Sequence, residues 1–430
     1  MSNLPYHCSF SGKGSGFRYG STYKRIQIPY LSPKGKCMKQ SPLLVLFVTI
    51  FIDLLGFGLI IPILPIYANE LGASGMVIGL VAASFSFMQF LVAPFWGNLS
   101  DRKGRKPILL ISIFITGLGY VIFAHAASLF LLFAARIIAG IGSANISTAQ
   151  AYISDITPPD KRAKAFGIIG AAFGLGFIFG PPLGGFLKSN FGIEYVGYVA
   201  AALSAINLLM AYFLLSESLD EPKSEKGPLF ENPLSDFRYG LGKPVVSELL
   251  IINFIFITAF SLMTVSVTLL WEEHYGLNEE QVGYTFAFLG VITAIVQGGL
   301  VGWASRTFGD RTLLVAGYVL MFFGLTSLPF VPVKYFIPLE LLAIVLIALA
   351  NGALTPTITS LLSKNSSEKE QGRILGLGQS VSSLGRVVGP FLGGWLYGLH
   401  YQYPYIGSGF LMIVCLLLAV RLVRGRLSPG

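Results

Sequence analysis

The sequence predicts an all-α membrane protein: twelve transmembrane helices in two pseudo-symmetric six-helix bundles. Three observations carry this reading. Only 12% of the 430 residues are charged and 53% are hydrophobic, against about 25% charged in a soluble domain. The basic residues gather in every second turn between the apolar runs, on one side of the membrane. The second half of the chain repeats glycine and proline positions of the first.

Residues 1–40 come first and differ from the rest. They hold Lys13, Arg18, Lys24, Arg25, Lys34, Lys36 and Lys39, no acid, and no apolar stretch of signal-peptide type. A disordered basic tail on the cytoplasmic side is the reading taken, with an organellar transit peptide as its alternative. The apolar runs follow. A membrane helix needs roughly 20 mostly apolar residues. Such runs lie at about 43–68, 76–99, 107–125, 128–152, 164–188, 195–216, 247–271, 281–303, 312–330, 336–361, 372–398 and 405–422. Pro62 and Pro65 should bend the outer end of the first. Segment 217–246 mixes acids, bases and proline. It is read as a cytoplasmic linker between bundles 41–216 and 247–430, the second ending in a short basic tail.

With the N-terminus inside, 26 of the 30 Lys and Arg residues fall on the cytoplasmic side; Lys188 and Lys334 fall outside, and Arg136 and Arg386 within helices. This positive-inside pattern orients the chain with both termini cytoplasmic. It also accounts for the net charge of +9 without nucleic acid, because the charge is spread over short turns. The repeat has a constant offset of 209 residues in one helix: Gly167 with Gly376, Gly180-Pro181 with Gly389-Pro390, Gly184-Gly185 with Gly393-Gly394. A shorter echo pairs Gly97 and Gly104 of "GNLSDRKGRK" with Gly302 and Gly309 of "GWASRTFGDR". Duplicated halves around a cleft are a transporter architecture.

Several classes are disfavoured. Cys8, Cys37 and Cys415 have no metal-ligand spacing, and neither do His7, His125, His274 and His400. No GxSxG, HExxH or Walker A string is present. The chain is therefore read as a non-enzyme without cofactor or metal, whose partners are a small-molecule substrate and the lipid bilayer.

Two charges lie deep in the apolar runs. Asp53 is some ten residues into the first helix, about 15 Å at 1.5 Å per residue. An acid there is costly unless paired, protonated or facing a wet cavity. Arg136 lies at comparable depth in the fourth helix and is expected to pair with Asp53, directly or through water. Arg386 interrupts the eleventh helix. Gln89, Asn145, Gln297 and Arg386 are the candidates for lining a substrate cavity, with interhelical hydrogen bonding as the plainer role for the amides.

The strings "GNLSDRKGRKPILL", "FAARIIAGIGSA", "GLGFIFGPPLGG" and "FIDLLGFGLIIPILP" resemble the major facilitator superfamily, over about 41–425. Within it they resemble the drug–proton antiporters related to tetracycline efflux proteins. The resemblance implies export by proton antiport through alternating access, with protons as coupling ion and Asp53 and Arg136 in the central cavity. It also implies a monomer in a plasma or bacterial inner membrane; an organellar membrane is the alternative. Gly180, Pro181, Gly184 and Gly185 match the antiporter motif, repeated as Gly389, Pro390, Gly393 and Gly394. Gly97, Asp101, Gly104 and Arg105 match the signature loop, and the resemblance implies that Asp101, Arg105 and Asp155 form an inner gate. The chain departs from the tetracycline exporters in having no carboxylate in 312–330, and Arg306 stands where the first half has Asp101. Export of a small amphipathic or aromatic compound is the leading expectation. Transport of an organic anion or sugar is the alternative, and a non-transporting scaffold or receptor a remote one.

Overall fold

In hydrocarbon every backbone polar group must be satisfied internally, so apolar runs of this length become helices. The computed structural model describes residues 42–158, 162–219, 238–367 and 370–425. Segment 1–40 and most of the linker lie outside these described residues. The crossings are α1 (Pro42–Glu70), α2 (Gly75–Lys103), α3 (Arg105–Ala124), α4 (Leu129–Ile156), α5 (Arg162–Phe191) and α6 (Ile193–Leu214). They continue as α7 (Pro244–His274), α8 (279–308), α9 (310–327), α10 (Phe336–Lys364), α11 (Gln371–Leu399) and α12 (Tyr403–Gly425). Helix α1 breaks at Ile61-Pro62 and resumes at Ile63–Glu70, the effect expected of the two prolines.

The charged turn expected between the second and third helices is far shorter than its sequence suggests. Helix α2 runs through Lys103 and α3 starts at Arg105. Gly104 alone makes the reversal, at φ 100° and ψ 153°. Gly309, its repeat partner, does the same between α8 and α9 at φ 79° and ψ 151°. Only glycine enters that region without strain. Asp101 is thus in the last turn of α2, and Arg105 is the first residue of α3 across the reversal.

Helix contacts follow the repeat. In the first half α1 packs on α5 and α6, α3 on α4 and α6, and α2 on α4. In the second half α7 packs on α11 and α12, α9 on α10 and α12, and α8 on α10. Each pairing recurs six helices later. The halves meet through α2 on α11 and α5 on α8, two contacts exchanged by the same symmetry.

The glycine motifs make both sets of contacts. Gly180 and Gly184 of α5 lie on the α1 backbone at Gly58 and Leu59. Gly389 and Gly393 of α11 lie on α7 at Thr258 and Leu262. The next glycine in each motif turns to the opposite half: Gly185 meets Glu279 of α8, and Gly394 meets Gly75 of α2. Small residues let backbones approach where apolar surface alone gives no driving force.

Candidate functional site

Asp53 sits on α1 behind two amides. Asn145 Nδ2 donates to Asp53 Oδ2 at 2.8 Å, and Asn207 Nδ2 to Oδ1 at 2.9 Å. Asn207 Nδ2 also reaches the Thr49 carbonyl at 3.0 Å, tying α6 to α1. Asn145 ends a 3-10 turn, Ser143–Asn145, within α4.

Asp53 and Arg136 make no direct contact. Arg136 is 3% exposed, with its guanidinium 4.3 Å from the Phe85 ring and 6.0 Å from that of Phe57. Its Nε and Nη1 have no hydrogen-bond partner. The cause is depth. Arg136 is nine residues outward of Asn145 on α4, about 13 Å along a helix, and so falls level with aromatic rings. A cation over ring faces is held by their quadrupoles. Tyr120 of α3 stands near both charges, and its buried hydroxyl is also unpartnered.

The remaining candidates divide. Gln89 Nε2 donates to the Ser143 carbonyl at 3.0 Å, an interhelical bond from α2 to α4. Gln297 lies in a widened turn, Val296–Leu300, near the middle of α8. Arg386 Nη2 donates to Ser383 Oγ at 3.0 Å on its own helix, and no acid pairs with it among the described residues. Asn207 and Tyr120 escaped the sequence reading. The signal for Asn207 was present, as a lone amide in the apolar run "LSAINLLMAY". The second half has no matching charge. There the Cys415 thiol takes the place of Asn207, 3.7 Å from the Ile252 carbonyl, and the same register puts fully buried Phe256 where Asp53 would stand.

At the cytoplasmic end, Arg105 is 4% exposed and gathers three groups. Its Nη2 lies 2.5 Å from Asp101 and its Nε 2.9 Å from Asp155, while Nη1 donates to Ser100 Oγ at 2.7 Å. Glu217 accepts from the Arg105 and Lys106 backbone N–H groups at 2.9 and 3.1 Å, capping α3 with a carboxylate. These described pairs lie within the first half. The second half holds the same arrangement with polarity reversed. Asp310 follows Gly309 as Arg105 follows Gly104, and it is bonded by Ser305, by Ser360 at 3.1 Å and by Lys364 at 2.8 Å. Gly97 of the signature string lies near Ser147 of α4, with room for a methyl group.

The outer end is closed. Lys188 of α5 pairs with Glu70 of α1 and, at 2.9 Å, with Glu279 of α8. Asn69 of α1 donates to Glu273 of α7 at 3.0 Å, and Tyr397 of α11 donates to the same carboxylate at 2.9 Å. Further inward along the same helices space opens, and a Cβ at Gly170, Gly298, Gly302 or Gly376 would touch nothing.

Twelve crossings, a six-helix repeat and a membrane-buried carboxylate held by two amides in the first half define a membrane transporter. The pattern of the Major Facilitator Superfamily matches residues 46–336 and 298–429, and the chain belongs to that family. It is 31% identical to the class C tetracycline resistance protein of Escherichia coli, over 88% of this chain and 96% of that one. It is 31% identical to multidrug resistance protein 2 of Bacillus subtilis (strain 168), over 86% and 92%. The fold superposes on the crystal structure of the human organic anion transporter MFSD10 with a TM-score of 0.67, covering 88% of this chain and all of that one at 23% identity. The protein is accordingly a multi-pass integral membrane transporter, not an enzyme.

Proposed function

We propose that this protein exports a small amphipathic or aromatic compound in exchange for protons, with Asp53 as the proton-carrying group. The observation that carries the reading is the setting of Asp53: two amide donors, no cation paired with it among the described residues, and a position inside a membrane helix. Protonation is then the available way to remove its charge. The names of the tetracycline- and multidrug-resistance relatives support the substrate class. Bundles 41–216 and 247–430 rock about the α2–α11 and α5–α8 contacts, and a single chain suffices. Asp101, Arg105 and Asp155 form the inner cluster, which is bonded while the outer mouth is closed and anchors the cytoplasmic end of the first bundle.

The test is substrate-triggered proton flux in liposomes with an imposed pH gradient, using ethidium and tetracycline as probes. Coupled flux in the parent and its loss in Asp53→Asn is the expected result. Uncoupled transport in the parent overturns the reading.

A second reading has its own observation. Among the described residues Arg386 has no acid partner, so the cavity can offer it to an anionic substrate. The organic anion transporter MFSD10 shares the fold. Uptake or export of labelled organic anions that Arg386→Ala abolishes while ethidium transport persists would select this reading.

A further inference from the structure

Glu340 is a carboxylate that neither the central site nor the gates employ. It lies on α10 and is 1% exposed. Its one hydrogen-bond donor is the Trp271 indole, whose Nε1 lies 2.5 Å from Oε1. Oε2 is buried and has no partner. The titratable groups near it are Tyr275 at the end of α7 and Tyr405 of α12, with Tyr397 of α11 beyond. From α8 the Phe286 ring packs on Trp271, and the acids of that helix's outer end are engaged elsewhere, Glu279 with Lys188 and Glu280 with Tyr284. Helix α9 has no charged residue beyond Asp310 and Arg311 at its cytoplasmic start. No cation pairs with Glu340 among the described residues. A carboxylate desolvated to this degree is tolerated when paired and hydrogen-bonded. One indole N–H is not enough for the ionised form.

The donor belongs to an unusual turn. Residues Leu270–His274 widen α7 at its outer end, with Tyr275 N–H bonded five residues back to the Leu270 carbonyl at 3.3 Å. Widened turns of this kind recur at functional sites. Trp271 points from the turn to Glu340. Glu273, two residues on, holds the closed outer mouth through Asn69 of the first half and Tyr397. One five-residue turn therefore touches the buried acid on one side and the outer seal on the other.

We propose that Glu340 is a second proton-binding site, in the C-terminal half, whose occupancy sets whether the Trp271–Glu273 turn keeps the outer mouth closed. The ligand is the proton alone, which forms an O–H bond at a carboxyl oxygen and cancels the charge. With the mouth closed, Glu340 is cut off from water and is held in its neutral form. Opening breaks Asn69–Glu273 and carries the turn away with α7. Water then reaches Oε2, and the proton exchanges with the outside. By linkage, acid outside favours the closed mouth, and rising pH favours opening.

The proposal is independent of the role given to Asp53, and the experiment keeps them apart. The full chain in lipid nanodiscs, carrying Asp53→Asn, is spin-labelled at Asn190→Cys on α5 and Glu280→Cys on α8. The distance across the outer mouth is measured against pH without substrate. The expected result is a distance that lengthens as pH rises, and a loss of that transition in Glu340→Gln, which stays closed throughout. Trp271→Phe, which keeps the acid, should shift the midpoint without abolishing it. Infrared spectra at neutral pH should show a protonated-carboxyl band that Glu340→Gln removes. A pH transition in Glu340→Gln equal to the parent's, no transition in the parent, or no carboxyl band lost would each overturn the proposal.

Discussion

Lys188 Nζ lies 2.9 Å from a Glu279 carboxylate oxygen, and this ion pair joins the two halves at the outer mouth. The Lys188 side chain is 7% exposed and holds Glu70 of its own half at the same time. An outward opening separates α5 from α8 at this level, so it must break the Glu279 contact and can keep the Glu70 one. Lys188→Gln should therefore favour the outward-open form. For a partly shielded pair a loss of about 1 kcal/mol is reasonable, which corresponds to about a fivefold change in the equilibrium. Cross-mouth distance distributions in Lys188→Gln and Glu279→Gln check it. Equal shifts in the two variants, and no larger shift in the double variant, identify the pair as the cause.

The glycines give a contrast within one class of residue. Gly184 lies against the Leu59 backbone of α1, where no side chain can rotate away, whereas Gly302 on α8 has open space around it. Gly302→Ala should leave expression and transport unchanged. Gly184→Leu forces α5 off α1, an overpacking that typically costs 1–3 kcal/mol or more, and should lower the yield of folded protein. Size-exclusion profiles and thermal unfolding of the two variants in detergent decide it. A well-folded Gly184→Leu protein with parental melting would refute the close contact.

A pH dependence sits on the cytoplasmic surface. Glu370 accepts from Lys243, Tyr239 and Ser367, which join the start of α7 to the α10–α11 connection. These bonds, that from Lys243 foremost, push the Glu370 carboxyl down from 4.5 to about 2. A depressed carboxyl contributes its stabilisation fully above the unfolded value, and loses it as pH falls through the folded one. The anchor of residues 238–242 should thus hold at neutral pH and weaken between about pH 4.5 and 2. Hydrogen exchange of the 238–242 backbone, quenched after labelling at pH 7 and at pH 3, reads this out. Glu370→Gln should show the faster exchange already at pH 7.

Much of this architecture was legible in the sequence, because a bilayer leaves few options. Length and apolarity set the crossings, basic residues set the sides, and the 209-residue offset announced the repeat. The polar contacts were less legible. Arg136 and Asp53 are both deep and opposite in charge, which suggested a pair. Their contact depends on the axial offset of α4 against α1, which places Asn145 and not Arg136 at the level of Asp53. The inverted cluster was half visible. Arg306 opposite Asp101 looked like a departure from the motif. Asp310 and Lys364 reverse the sign of the central charge, while Arg306 bonds the Gly302 carbonyl of its own helix, and the spatial approach of α9 to α10 reveals it. The outer seal joins residues up to 204 positions apart, such as Asn69 and Glu273, and carries no local signature.

Asn207 provides the sharpest test of the central site, because it was not among the sequence candidates and makes two bonds in the structure. Its Nδ2 donates to Asp53 Oδ1 at 2.9 Å and to the Thr49 carbonyl at 3.0 Å. A hydrogen bond to a charged group is worth about 1.5–3 kcal/mol. If Asp53 must ionise toward the cytoplasm to complete a proton cycle, Asn207 supports the ionised state and eases release. Asn207→Leu keeps the bulk, removes the donor, and should slow that release by about 10- to 100-fold at neutral pH. Raising the internal pH should restore it, since a lower proton concentration drives the same dissociation. Asn145→Leu should behave likewise through Oδ2, whereas Gln89→Leu, whose amide bonds the Ser143 carbonyl and not Asp53, should not. The measurement is substrate-triggered proton flux in liposomes at several internal pH values. A defect in Asn207→Leu that internal alkalinisation leaves unchanged would assign Asn207 to helix packing and remove it from the proton path.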